Sequence, residues 1–292
     1  MNILSHDQQV SVIAALTEGC SIRSVERLTG IHRDTIMRLG VRVGRDCAAL
    51  HDRLMQNLHV NLLEFDEVWS FIGKKQKRLA PSDLREKGDC YIFTALSATH
   101  KAIISYQIGK RSGANANTFA MDVRQRILGR PQISSDGFSP YVDAIELAFG
   151  SDVDYGQIVK VYAGEPGPDA ARRYSPGVVV DVRKAVIAGG PDRKKISTSF
   201  VERSNLTIRM QCRRLTRLTN AFSKKLENHA AAVALFVAHY NFCRVHETLR
   251  VTPAMALGVT DHIWTIGELI DAASAGPQPR MRPFTVIHGG RA

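Results

Sequence analysis

The chain has 292 residues, 44% of them apolar, and carries a formal net charge of +11, with 39 Lys and Arg against 28 Asp and Glu. That length and apolar content suffice for one large packed domain plus a small one and exclude a disordered or fibrous chain. The excess of positive charge points to a polyanionic partner, most simply nucleic acid, against the blander alternative of a basic surface kept for solubility. The five cysteines, Cys20, Cys47, Cys90, Cys212 and Cys243, are scattered and contain no CxxC pair, so zinc ligation has no support and a reducing compartment is expected. With no apolar run of membrane-spanning length and no secretory pattern, the cytoplasm is the expected location.

Residues 7–18 read as a helix, with Val10, Ile13, Ala14 and Leu16 near helical spacing and Gly19 as its stop. Ser21 is placed to cap a second helix with Ile22, Val25 and Leu28 on its apolar side; Glu26 falls too late for a capping box. Thr29-Gly30-Ile31 turns the chain, a third helix begins at His32, and residues 43–58 continue as a helical connector. Two short helices joined by a Gly-containing turn form the helix-turn-helix pattern. Its recognition helix is the third, presenting His32, Arg33, Thr35 and Arg38 to base edges or phosphates. The alternative is a three-helix bundle packed on a neighbour; clustered arginines at 23, 27, 33, 38, 42 and 45 favour DNA.

Residues 61–71 are apolar, β-branched and aromatic like a buried strand, yet carry carboxylates in their middle. An ionised carboxylate is costly to bury without a cation or hydrogen bonds. Side chains alternate along a strand, so Leu63, Phe65, Glu67, Trp69 and Phe71 share one face and Glu64, Asp66, Val68 and Ser70 the other. The second face is the more polar. Asp66 is therefore the better ligand candidate, and Glu67 is not expected to point the same way unless the strand bulges. An edge strand with solvated acids is the alternative.

Residues 74–88 form a charged hairpin loop or a short helix. Strands over 89–98 and 102–109 follow, and the short connections imply an antiparallel meander. Residues 117–128 read as a helix with Phe119, Val123 and Ile127 on one side. A brief fourth strand, 132–136, ends in Asp136 before Gly137, where mixed sheets place sites and where turns also place ordinary aspartates. Ser139-Pro140 opens a helix to Phe149, and a fifth strand covers 158–162. Residues 164–195, rich in Gly and Pro with one strand-like run at 178–180, read as an insertion.

A basic helix then runs from Thr198 to about Arg217, with Ser199 and Glu202 at capping-box spacing and Arg203, Arg209, Arg213, Arg214 and Arg217 along it. Glu202 is either a capping acid or a third carboxylate brought to Asp66 and Asp136, with the arginines behind it for phosphates. A second long helix, 224–244, has a small, apolar side at Ala230, Val233, Ala234 and Val237. Trp69, His239 and His246 are read as packing residues or substrate contacts, packing being favoured for Trp69.

Taken together, Asp66 within Asp-Glu-Val-Trp, Asp136 within Ser-Asp-Gly and Glu202 within Phe-Val-Glu-Arg-Ser-Asn resemble the DDE catalytic core of bacterial insertion-sequence transposases and retroviral-type integrases. Residues 240–249, Tyr-Asn-Phe-Cys-Arg-Val-His-Glu-Thr-Leu, followed by Thr252-Pro253, resemble the closing motif of many such transposases. The resemblance spans about residues 60–255. The stretch from Asp136 to Glu202 is longer than in the integrase pattern, and the zinc-binding module of some relatives is not matched.

The resemblance implies an α/β fold: a ribonuclease H-like mixed five-stranded sheet flanked by helices (56–255, with the insertion at about 164–197), preceded by an all-α helix-turn-helix domain (1–55) and followed by a tail (256–292). It implies a DNA transposase in which Asp66, Asp136 and Glu202 are catalytic and hold two Mg²⁺ ions, with Mn²⁺ as a substitute, roughly 4 Å apart. Asp66 is then the bridging ligand. The partners are double-stranded DNA, element ends and target alike, contacted by Arg33, Thr35, Arg38, Arg203, Arg209, Arg213, Arg214 and Arg217. A homodimer or higher oligomer on DNA, associated with a bacterial nucleoid, is implied as well. The alternatives are a non-catalytic DNA-binding repressor derived from such an enzyme and a stand-alone ribonuclease H-like nuclease.

Overall fold

Side-chain caps start the first helices. In the computed structural model, which describes residues 4–162 and 179–276, Ser5 closes a capping box with Gln8 and opens α1 (His6–Thr17). Ser21 accepts from the Ser24 amide and opens α2 (Ile22–Thr29) without a glutamate, as the spacing predicts. Gly30 turns the chain in the left-handed region at φ 69°, where a Cβ is disfavoured. The third helix, α3 (Arg33–Leu54), is a single helix of 22 residues, so the predicted connector is its own second half as far as Leu54.

A short strand, β1 (Leu58–His59), precedes the meander of β2 (Leu62–Ile72), β3 (Gly88–Ser97) and β4 (Ile103–Gly109), all antiparallel as predicted. The charged loop between β2 and β3 contains a single 3-10 turn, Gln76–Arg78. The next helix, α4 (Gly113–Arg126), is capped by Ser112 and ends one residue before Ile127, which takes extended angles. Ile127 was expected on the helix; instead it forms β5 (Ile127–Leu128), parallel to β1, as suits a β-branched side chain.

Then come β6 (Gln132–Asp136), α5 (Pro140–Phe149), β7 (Asp154–Tyr162) and β8 (Val179–Ala188). The sheet order is β4-β3-β2-β6-β7-β8, with β2, β6 and β7 mutually parallel and β8 antiparallel to β7. The sheet therefore has six strands where five were expected. Asp181, Arg183 and Lys184 break the apolar run that marks a buried strand, but β8 is an edge. Its Val180 and Val182 are 58% and 50% exposed, and main-chain pairing at an edge does not require apolar side chains. The rest of the expected insertion, 163–178, lies outside the described residues.

One face of the sheet carries Phe65 and Phe93 against Phe119 of α4 and Tyr141 of α5, the ring centroids lying 4.9 to 6.4 Å apart. The other carries Val68, Ile92, Leu96 and Ile103 against α6 (Ser199–Gln211) and α7 (Leu226–Phe242). The chain closes through α8 (Pro253–Ala256) and α9 (Ile266–Ser274). A helix apolar on all sides belongs inside, and α7 is buried at every position from Val233 to Phe242, with the sheet on one side and α3 on the other.

Gly44 marks the closest approach of α3 to α7. A Cβ there would lie 2.2 Å from the Ala231 carbonyl oxygen and 2.6 Å from its carbon, both rigid backbone atoms. Gly44→Ala gains about 1 kcal/mol of helix propensity but forces the two helices apart. A net loss of about 2 kcal/mol is expected in urea or guanidinium unfolding; a stabilised variant would contradict this crossing.

Two histidines are held neutral inside the protein. His51 of α3 and His229 of α7 are each 1% exposed. Burial, reinforced by Arg126 beside His51 and Arg214 beside His229, pushes both pKa values down to about 4. In the unfolded chain they titrate near 6.5, so unfolding takes up protons between these values and stability falls as pH drops through that window. The expected loss is about 2 kcal/mol per histidine by pH 5. Melting followed from pH 7.5 to 5 should show it, and His229→Gln should flatten the profile.

Candidate active site

The β2–β6 pairing ends at Phe65↔Ser135, and Asp136 then turns the chain by accepting from the Phe138 amide at 3.0 Å. Past that point the edge of β2 is open on the side of β6. Asp66 and Glu67 are the first two residues beyond it. One oxygen from each of Asp66, Glu67 and Asp136 comes within 4.8 Å of the other two. Alternation did not predict Glu67 here without a bulge, yet the β2–β3 register runs without a shift from Leu63↔Ser97 to Ile72↔Gly88. The two acids leave opposite faces of a regular strand and fold over the same unpaired edge.

Asp66 is fixed from both sides. Its Oδ1 accepts from the Glu67 amide at 2.8 Å and its Oδ2 from Asn205 Nδ2 of α6 at 2.7 Å. Burial pushes its pKa up to about 7; the Glu67 amide opposes this, while the charges of Glu67, Asp136 and Glu202 add to it. Glu67 is raised as well, chiefly by burial. The Tyr141 hydroxyl pulls it back from nearby without closing a hydrogen bond. Arg111 Nε donates to Glu67 Oε2 at 3.1 Å, Arg111 Nη2 lies 3.6 Å from Asp136 Oδ2, and the guanidinium sits 4.0 Å over the Phe138 ring.

Glu202 sits on the first turn of α6, exposed, and accepts from the Thr198 hydroxyl at 2.8 Å. It is near enough to Asp66 to raise that carboxyl's pKa, but the set within 4.8 Å is formed by the other three acids. The expected Ser199–Glu202 capping box does not form, because Ser199 is already inside the helix and its amide donates to Ser197 Oγ. The cap comes from β2: Glu64 Oε2 accepts from the Phe200 and Val201 amides, each at 2.8 Å. A buried carboxylate at a helix N-terminus satisfies orphan donors and complements the dipole. Glu64 is 2% exposed. Burial raises its pKa, and the two amides, Ser197 and Lys101 pull it back. Alternation had grouped Glu64 with Asp66, but its role was hidden because the amides it serves lie 136 and 137 residues later.

The arginines divide. Arg33 and Arg38 are exposed at the start of α3 with Thr35 half-buried between them, and His32 caps that helix through Nδ1. Arg203 and Arg217 are exposed. Arg209 instead turns inward, donating to the carbonyls of Leu215 at 3.5 Å and Trp69 at 3.4 Å, and burial pushes its pKa down to about 10. Arg213 and Arg214 follow the end of α6 in a 3-10 turn, so the helix stops at Gln211 rather than Arg217. They line a cavity of about 680 Å³ with Arg23 and Met37 of the amino-terminal helices. Trp69 packs beside Phe71, which meets Phe222 at a tilt, the ring centroids 4.7 Å apart. His239 is buried on α7, and His246 Nδ1 lies 3.0 Å from the Thr248 hydroxyl.

The fold is thus a mixed α/β sheet with helices on both faces and an acidic notch where its central parallel pair ends. No protein-family profile and no curated protein matches the chain. Among solved structures it is similar to a cryo-EM structure of the piggyBac transposase synaptic complex with hairpin DNA, at a TM-score of 0.40 and 10% identity, over 93% of this chain and 71% of that one.

Proposed function

We propose that this protein is a metal-dependent DNA transposase with a ribonuclease H-like core, cutting and joining phosphodiesters at the notch formed by Asp66, Glu67 and Asp136. The observation that supports it best is the meeting of three carboxyl oxygens within 4.8 Å, beside a helix that β2 pins by two separate contacts, Glu64 to its first amides and Asp66 to Asn205. Oxygen donors alone suit a hard cation such as Mg²⁺. Asp66 and Asp136 would hold the ion, with Glu202 approaching from α6.

When bound, divalent ions activate the attacking oxygen and stabilise the leaving oxygen of an in-line displacement. The chain's own contribution is position. Asn205 and the Glu67 amide orient the two oxygens of Asp66, and Glu64 sets the height of α6 and with it Glu202. Exposed Arg203 and Arg217 are placed to contact phosphates, while Arg33, Thr35 and Arg38 would engage the element ends in the manner of a helix-turn-helix. The test is a strand-transfer reaction with a precleaved element end, target DNA and Mg²⁺. Joined product supports a transposase. Hydrolysis without joining indicates a nuclease, and end binding without either indicates a DNA-binding protein.

A further inference from the structure

Glu67 lines the notch, but only Asp66, Asp136 and Glu202 have been given a part in holding the ion. Its side chain is 3% exposed. Oε2 is held by Arg111, whose guanidinium also reaches towards Asp136 and is itself seated on Phe138. Oε1 is buried, and beside Glu67 lies the hydroxyl of Tyr141, 0% exposed on α5, a donor near enough to lower the Glu67 pKa although neither atom closes a well-formed hydrogen bond. A buried donor and acceptor that pair this poorly are costly. One Glu67 oxygen lies within 4.8 Å of an oxygen of Asp66 and of Asp136, and the Tyr141 hydroxyl is close enough to feel the charges of all three acids. Asp66 reaches that point from the α6 face of β2 and Glu67 from the α5 face, so the three carboxylates surround it from two sides of the sheet.

We propose that Glu67 is a protein ligand of a divalent cation shared with Asp66 and Asp136, with Arg111 holding its side chain in place. Three carboxylates carry one negative charge more than a divalent cation neutralises, and Arg111 supplies the balance from within the chain. Arg111 is a positioning residue: its contacts to Glu67 and Asp136 fix the rotamer of Glu67 beside the other acids, as outer-shell partners do in metal sites. Tyr141 is placed to donate to Glu67 itself and so to steady the same carboxylate. This inference rests on the metal-dependent reading above and adds Glu67 to the ligands, Asp66 and Asp136, that it names.

The test is binding of Mn²⁺ to the full chain, by the electron paramagnetic resonance of free Mn²⁺ and by calorimetry, without DNA or turnover. Glu67→Gln keeps the volume and is expected to weaken Mn²⁺ binding by about tenfold or more, as are Asp66→Asn and Asp136→Asn. Arg111→Gln is expected to weaken it less and to leave the stoichiometry unchanged. If Glu67→Gln binds Mn²⁺ like the parent while Asp66→Asn and Asp136→Asn do not, the inference is overturned and the metal-dependent reading stands. If the parent itself binds no Mn²⁺ at millimolar concentration, both fall. Should Glu67→Gln not fold, Glu67→Asp keeps the charge but withdraws the oxygens by one methylene; unchanged affinity in that folded variant likewise overturns the inference.

Discussion

Asp66→Asn and Asp136→Asn are each expected to lower strand cleavage and joining by roughly a thousandfold or more, with binding of DNA ends retained. Metal-assisted stabilisation of a displacement at phosphorus is worth several kcal/mol, and each 1.36 kcal/mol is about a factor of ten. The amide is the informative replacement. At position 66 it preserves an acceptor for the Glu67 amide, and Asn205 can rotate its own amide to face the new donor, so β2 and α6 stay joined. At position 136 the turn through the Phe138 amide survives in the same way, and the side chain is 44% exposed, so little packing is disturbed. What is lost in both is a negative oxygen at the point shared with Glu67. Cleavage and strand transfer are read on labelled DNA, end binding by gel shift, and folding by circular dichroism. Transfer at parental rate by either folded variant would remove that residue from the chemistry.

The meander, the brief fourth strand and the amino-terminal helices were legible because each depends on local pattern: alternation in Leu62–Ile72, a Ser cap before α2, a left-handed Gly between α2 and α3. Asp66 and Asp136 stood out as candidates for a related reason, as acids in or at the end of apolar strands where an uncompensated charge is costly, and they do meet in the notch. Three features were not legible. β8 was obscured by Asp181, Arg183 and Lys184, because an edge strand has no apolar pattern to display. Glu67 does lie on the face opposite Asp66, as alternation has it, but alternation says nothing of two such side chains meeting over an edge that β6 leaves unpaired beyond Phe65. Arg209 looked like a phosphate contact by its charge and helical spacing, whereas only tertiary packing reveals the Trp69 and Leu215 carbonyls that hold it.

The carboxylate that joins the two halves of the site is Glu64, and its removal is the second large effect expected. Glu64→Ala leaves the Phe200 and Val201 amides without their acceptor and opens a space in the interior where the side chain was 2% exposed. A buried donor left unpaired costs about 1–3 kcal/mol, so two of them and the lost packing are expected to cost about 3 kcal/mol or more in denaturant unfolding. Glu64→Gln separates capping from charge. It retains an oxygen for the amides but loses the attraction of Lys101 and of the helix dipole, so a smaller loss of about 1 kcal/mol is expected. The functional consequence follows the geometry of α6. Asn205 and Glu202 both ride on that helix, and its first turn is fixed to β2 by Glu64 alone among the contacts at its amide end described above. Strand transfer by Glu64→Ala is therefore expected to drop by about tenfold or more at a temperature where the protein remains folded, while Asn205→Ala spares the fold and weakens only the hold on Asp66. Equal activity of Glu64→Ala and the parent, measured well below the melting temperature of the variant, would show that the position of α6 is set elsewhere.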